Sequence, residues 1–457
     1  MPPRRAGARG GELAFRLDGS TLPHYAAQAM SSTVATRPAG LPPSEGLIAA
    51  DGVPLARKLA AATRHARIRA FLFVLPILLF LIAFFVVPIG QMLWLSISDA
   101  TIRQELPQTV AALASWDGKG APDEATFAAL VDDLKAARER QAVGKVASAL
   151  NHVYSGARSL FISAGRGISS LEAPYKQALI EKDPNWGDPR LWAVIASLAS
   201  TPTSIYYLNA ADMTLGERAR PTAVPEDQRI HITIFWRTMW LSALITLICL
   251  LLGYPVAYYL SSLPLRTSNL LMICVLLPFW TALLVRITAW IAVLQSDGVI
   301  LSSAAALGIV AADTAKRPQL VYNLTGTMIA MVHVLLPSMI LPLYSVMKTI
   351  PPTYVRAARS LGATSTTAFR RVYFPQTVPG IAAGSLLVFI LAVGYYITPA
   401  LLGGQSGVLI SNFIALHMEQ SLNWGLAAAL GGLLLAAILI LYWVFNKIVG
   451  IEKLKMG

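Results

Sequence analysis

The stretch YVRAARSLGATSTTAFRRVYFPQTVPGI, residues 354–381, decides the fold. It is a short basic segment between two long apolar ones, with Arg356, Arg359, Arg370 and Arg371 and no acidic residue. Thr353 is placed to cap a helix whose first turn begins after Pro351 and Pro352. Gly362 is placed to end that helix in a left-handed turn, and Ser365 or Thr366 to cap a second one. Pro375 is expected to stop the second helix, because the residue before a proline is pushed out of the α region. The expectation is a compact helix-turn-helix on a membrane surface that docks rather than spans.

Working outward, the composition is that of a polytopic membrane protein: 55% hydrophobic residues, 13% charged and a mean hydropathy of +0.57 over 457 residues. The formal charge of +13 would suit a nucleic-acid binder, but its distribution excludes that class. Residues 99–234 hold 14 Lys/Arg against 16 Asp/Glu, leaving 23 basic and 8 acidic residues elsewhere. The excess lies in the amino-terminal tail and the loops assigned to the cytoplasm, as the positive-inside rule requires. Cys249 and Cys274 fall in apolar segments and read as packing residues, and the histidines lack metal-ligand spacing. His333 lies inside an apolar segment, where it either serves function or hydrogen-bonds to a neighbouring helix.

Taken in order, residues 1–69 form a basic, largely disordered cytoplasmic tail, with 10 basic residues facing 4 acidic ones. The first span reads FLFVLPILLFLIAFFVVPIG, residues 71–90 within a first transmembrane segment at 70–98, enough to cross ~30 Å of hydrocarbon. It starts too late and runs too long for a cleaved signal peptide. Residues 99–234 form a soluble periplasmic insertion. A helix is expected over 123–150, with little regular structure in DPNWGDPRLW and RARPTAVPED. Spans at 235–260, 270–294, 324–347, 378–401 and 424–445 follow, within a region 235–449. A cytoplasmic carboxyl terminus at 450–457 completes an all-α, six-span chain with both ends on one side. The arginine loop, 351–377, then faces the cytoplasm, while Lys316 and Arg317 in the opposite loop dissent. No GxSxG, HExxH or GxxxxGK[ST] is present, so no catalytic residue, metal site or phosphate loop is assigned.

The arginine loop resembles the EAA signature of permeases of binding-protein-dependent, ATP-binding-cassette importers: E-A-A, three residues, G, nine residues, I-x-L-P. Here it reads Arg356-Ala357-Ala358, three residues, Gly362, nine residues, Val372, Phe374 and Pro375. Arg356 departs from the usual glutamate, which would favour the dipole at a helix start. LPFWTALLVRITAW (277–290) and VGYYITPALLGG (393–404) are similar to the spermidine/putrescine branch. The resemblance implies the type I importer permease fold and a coupling loop that seats on a dimer of ATP-binding subunits. It also implies a second permease subunit and a periplasmic solute-binding protein, in the bacterial inner membrane. ATP and Mg would be held by the partner, with no cofactor on this chain, and a polyamine is the favoured solute.

Within the spans, Arg286 either lines the path or pairs with backbone carbonyls. Tyr395, Tyr396 and Thr398 face the pathway at a broken helix, or pack at the interface. Arg237 is expected to snorkel, and Gly425, Gly431 and Gly432 to allow close approach to a neighbouring helix. The six spans hold no Asp or Glu, which gives a polycation no counter-charge and leaves another solute, such as an amino acid or opine, open. The same absence disfavours an ion-coupled secondary transporter, and an enzyme with its site in the insertion would require catalytic groups there.

Overall fold

The computed structural model describes residues 55–216 and 220–449, so the tail at 1–54 and the terminus at 450–457 lie outside the described residues. The chain divides into two units, Met1–Phe85 and Val86–Gly457. In the first, helix α1, Leu55–Leu81, starts well inside the expected tail. The run LARKLAAATRHARIRA contains no glycine or proline, and strong helix formers dominate it. The residues beyond it are apolar all round and exposed on every side, including Phe71, Phe73 and Phe80, as a lipid-facing helix requires.

Among the described residues, six helices are long and apolar enough to cross a membrane: Ala66–Leu95, His231–Ser262, Leu283–Ala306, Leu324–Thr349, Ser365–Val393 and Trp424–Lys447. The number agrees with the sequence reading, but two boundaries do not. The stretch expected as an unbroken third span over 270–294 is divided: the shorter apolar helix Leu265–Trp280 ends there, and the spanning segment starts at Leu283 and runs to Ala306. Pro278 removes a backbone donor near the end of the first piece, and Thr281 and Ala282 both take ψ of 140°. The fifth span begins at Ser365 rather than 378 and ends at Val393 rather than 401.

In the second unit, α2 is Val87–Leu95, and the insertion follows as a helical body. Its helices are α3 Thr101–Glu105, α4 Pro107–Leu113, α5 Glu124–Glu139, α6 Val143–Asn151, α7 Ala157–Gly167, α8 Tyr175–Lys182, α9 Pro189–Ala199 and α10 Ile205–Ala210. The single helix expected over 123–150 is broken at Gln141, whose φ is +56°. Two other corrections concern the stretches expected to be irregular. DPNWGDPRLW forms a 3-10 turn and the start of α9, because Asp183 and Asp188 each cap a turn that has proline in its first positions. RARPTAVPED supplies strand β2, Pro221–Ala223, paired antiparallel with β1, Met213–Leu215. Phe127, Phe161, Trp186 and Trp192 fill the centre, with ring centroids 4.7–6.3 Å apart. The buried Asp133 carboxylate accepts from Thr109 N and Oγ1, both at 2.7 Å.

Beyond the insertion run α11 His231–Ser262, α12 Leu265–Trp280, α13 Leu283–Leu294, α14 Val299–Ala306 and α15 Leu324–Thr349. Then come α16 Pro352–Ser360, α17 Ser365–Ala368, α18 Phe374–Val393, α19 Ile397–Leu402, α20 Ile410–Glu419 and α21 Trp424–Val449. Helices α11, α15 and α18 pack closely where glycines remove side chains. A Cβ on Gly253 would lie 3.2 Å from Met339 Cγ, and one on Gly384 2.8 Å from Met339 Sδ.

The insertion does not sit apart from the spans of its own unit. One apolar cluster joins Ile205, Tyr206 and Leu215 to Val393, Ile410, Leu426 and Leu430. Gly425 therefore packs against Tyr206 of the insertion rather than against a neighbouring span, and Gly432 against Tyr207 and Leu93. Gly431 has open space around it. A Cβ at 425 would meet the Tyr206 ring at 2.4–2.6 Å, and Tyr206 is only 3% exposed, so it has little room to yield. Gly425→Ala is expected to destabilise the detergent-purified chain by about 1–3 kcal/mol, the range for overpacking a filled core. Thermal melting beside Gly431→Ala, expected to be neutral, checks this.

Candidate functional site

The site is built from residues 351–377. Pro351 takes an extended conformation and Pro352 stands in the first turn of α16, where its missing N–H leaves nothing unsatisfied. Thr353 thus lies inside the helix and caps nothing, contrary to expectation. At the other end Gly362 has φ of +88°. Its N–H donates to Arg359 O at 3.0 Å, and Ala363 N–H to Ala358 O at 3.1 Å. This pair of reverse bonds is the Schellman closure, and it needs a residue that accepts positive φ.

The second helix is capped by Thr364, one residue before the expected Ser365 or Thr366. Thr364 takes an extended conformation, and its Oγ1 accepts from Thr367 N at 3.3 Å. Pro375 does not stop this helix. A π-helical turn, Phe369–Tyr373, precedes it and leads straight into α18. The wider turn absorbs the missing donor, and Gln376 Nε2 donates to Val372 O at 2.7 Å. Only α16 therefore lies free of the spans; the second arm is the start of span five.

Of the signature positions, Arg356, Ala357, Gly362, Phe374 and Pro375 are exposed, while Ala358 and Val372 are half-buried. Leu361, at the tip, is 90% exposed, and Tyr354 51%. Arg356 lines a cavity of about 280 Å³ with Pro351, Val355, Tyr258 and Tyr373.

Sequence reading missed what holds the loop to its neighbours. Phe369 stacks on Tyr373 at 5.8 Å and meets Tyr258 edge-on at the same distance; Tyr258 and Tyr373 lie 5.3 Å apart, and Tyr254 and Phe374 6.0 Å. Tyr254 Oη lies 3.2 Å from Thr377 Oγ1. Lys348 Nζ donates to the carbonyls of Ser261 (3.1 Å) and Leu263 (2.8 Å), closing the end of α11. These contacts join the loop to the second, fourth and fifth spans. The one signal was the repeat Tyr254, Tyr258, which places both rings on one helix face, but nothing in it names their partners.

The membrane-embedded candidates fall at two chain breaks. Arg286 donates through Nη2 to the carbonyls of Thr281 (3.0 Å) and Pro278, and through Nε to Thr281 Oγ1 at 3.3 Å. It satisfies the acceptors that the break in span three exposes. Tyr395 and Tyr396 form the second break, after α18, where Ser411 Oγ donates to Tyr395 O (2.6 Å) and Asn412 Nδ2 to Tyr396 O (2.9 Å). Thr398 is buried and Tyr396 is 38% exposed. Helices α13 and α19, which carry Arg286 and Thr398, share the cluster Ile287, Leu294, Ala330 and Leu402.

His333 is hydrogen-bonded to a neighbouring helix, its Nδ1 accepting from Trp290 Nε1 at 3.1 Å. Arg237 donates to Ser406 O at 3.2 Å and so pins a loop rather than simply snorkelling. Cys249 is buried as expected, whereas Cys274 is exposed. Among the described residues no three His, Cys, Asp or Glu side chains gather as metal ligands.

Residues 231–451 match the family described as binding-protein-dependent transport system inner membrane component. The spermidine/putrescine transport system permease protein PotB of Haemophilus influenzae is 36% identical over 222 residues, which is 48% of this chain and 76% of that protein. Its namesake in Escherichia coli is 33% identical over 230 residues, 49% of this chain and 82% of that protein. Among solved structures, a bacterial ABC transporter involved in import of the acidic polysaccharide alginate aligns with a TM-score of 0.40 at 16% identity, covering 48% of this chain and 78% of that one.

Proposed function

Because the chain belongs to the family of binding-protein-dependent transport system inner membrane components, we propose that it forms half of an importer's pathway for a polyamine and is driven through residues 351–377 by a separate ATPase. The chain is an inner-membrane permease of an ABC importer, a transport subunit and not an enzyme. The coupling reading rests on the loop itself. A short helix closed by Gly362 presents the exposed Leu361, and its second arm runs without interruption into span five. In this reading Arg356, Ala357, Ala358, Gly362, Val372, Phe374 and Pro375 meet a dimer of ATP-binding subunits, which carries ATP and Mg. A second permease subunit and a periplasmic solute-binding protein complete the complex. Both termini and the loop face the cytoplasm, and the 99–234 insertion faces the periplasm. Arg356, standing where a glutamate is usual, implies an acidic complement on the ATPase surface.

The polyamine assignment is supported by the relatives named for spermidine and putrescine. One observation favours a second reading, an importer for another small polar solute such as an amino acid or opine. The spans as read from the sequence hold no Asp or Glu, Asp297 standing in the connection between α13 and α14, and Arg286 brings a positive charge into them.

The test is co-expression with the neighbouring genes, purification on this chain, and uptake of labelled spermidine. An ATPase is expected to co-purify. Leu361→Asp is expected to lower its recovery by at least about tenfold, since a buried leucine contributes roughly 1.5–3 kcal/mol. Absence of any ATPase, or equal recovery with Leu361→Asp, would overturn the coupling reading. Competition of spermidine uptake by amino acids rather than by putrescine would select the second solute.

A further inference from the structure

Three histidines meet on the seam between the insertion and the spans of its unit. His152 ends α6, His231 opens α11 and His417 lies in α20. The rings of His231 and His417 are 6.0 Å apart, and Phe413 stands edge-on to His231 at 6.1 Å. His152 Nε2 donates to the Ser421 carbonyl at 2.9 Å, and His417 Nδ1 lies 3.0 Å from Ser421 Oγ. The turn ahead of the sixth span is thus gripped from both sides, once by the insertion and once by α20. Cavities of about 610 and 530 Å³ meet at His152 and bring solvent to the seam.

We propose that His152, His231 and His417 form a proton-operated latch that ties the insertion to the turn ahead of the sixth span and opens as the medium bathing the insertion becomes acidic. The charges around it explain why a proton is unwelcome while the seam is closed. His417 faces His231 and His152, and its Nε2 is buried without a partner. Glu419, on its own helix, is exposed. The Asp212 carboxylate is taken up by His231 Nδ1 and by the N–H groups of Ile230, His231 and Ile232. Asp99 accepts from Tyr206 Oη at 2.5 Å and Thr101 N at 2.8 Å. Lys145 and Arg158 line the first cavity beside His152, and Arg190 the second. Among the described residues no carboxylate is hydrogen-bonded or ion-paired to His417.

The sign follows. Burial, then His231 and His152, hold His417 down to about 4, against 6.5 for a free imidazole, and burial lowers His152 as well. The closed seam is fully favoured above pH 6.5. Between 6.5 and about 4 the open seam takes up a proton that the closed one excludes. The ratio of open to closed therefore rises about tenfold per pH unit in that window, or roughly thirtyfold from pH 7.5 to 5.0.

Hydrogen exchange on the full chain in lipid nanodiscs at pH 7.5 and 5.0, corrected for the pH dependence of chemical exchange, tests this. Protection over 148–155, 205–212 and 415–426 is expected to fall about thirtyfold at pH 5.0 while 324–349 stays protected. His417→Gln is expected to match the parent at pH 7.5 and to lose most of the acid response. His152→Gln, which removes the other grip on Ser421, is expected to blunt the response too and decides the matter if His417→Gln does not fold. Unchanged protection in the parent at pH 5.0, loss over 324–349 in step with the seam, or a full response in the folded variants would overturn the latch. None of these outcomes depends on ATPase recovery, so the latch and the coupling reading fail separately.

Discussion

Gly362→Pro is expected to abolish recovery of the ATPase and solute uptake together, while leaving the six spans folded. Proline fixes φ near about −65°, and position 362 requires +88°. It would also delete the N–H that donates to Arg359 O and would dislodge the neighbouring bond from Ala363 to Ala358 O. With the closure gone, α16 loses the stop that turns the chain toward Thr364, and Leu361 no longer points from a fixed tip. The position is open to solvent, with nothing within 4 Å of a Cβ placed there, so the damage stays local. Gly362→Ala separates backbone strain from bulk: it costs about 1 kcal/mol for the left-handed conformation and is expected to transport at a reduced rate. ATPase pull-down and uptake in the same membranes measure both. A proline variant that binds the ATPase as the parent does would remove the loop from the mechanism.

Asp212→Ala is expected to be the most destabilising single change in the insertion. Asp212 is itself held at φ of +52° and its side chain is 3% exposed. Its carboxylate accepts from Ile232 N at 2.8 Å, His231 N at 3.1 Å, Ile230 N at 3.3 Å and His231 Nδ1 at 2.9 Å. A residue nineteen positions upstream thus caps the second span, placing negative charge at the positive end of its dipole. Truncation leaves those donors without the nearly buried carboxylate that pairs them, a loss of about 3 kcal/mol. Asp212→Asn keeps one acceptor oxygen without the charge and is expected to lose about half as much. Thermal melting of the three proteins in one detergent checks the order; an alanine variant melting with the parent would show that the cap contributes nothing.

The spans were legible because burying or lipid-facing a helix takes a long apolar run, and such runs are local in sequence. The arginine loop was legible for a similar reason: Pro352 and Gly362 act on their own backbone angles, so their effect needs no partner. The errors share a cause as well. Pro375 was expected to stop a helix, but a π-turn just before it carries the chain through, with the Gln376 side chain bonded to the Val372 carbonyl. Asp188 and Pro189 carried a helix-start signal inside a stretch dense in turn formers, and the buried faces of Trp186 and Trp192 tipped it to helix.

By itself, then, the sequence determined the all-α six-span class, the basic loop with its Gly362 hinge and the presence of an insertion, because each depends on periodicity or on one residue's backbone preference. Tertiary structure alone decided the rest. The loop is clamped to span two by Tyr258, Phe369 and Tyr373, Arg286 is spent on the carbonyls of a broken helix, and the insertion shares a core with span six at Gly425. Ring packing, carbonyl capping and close approach all join residues far apart in the chain, and no local pattern specifies which distant surfaces will meet.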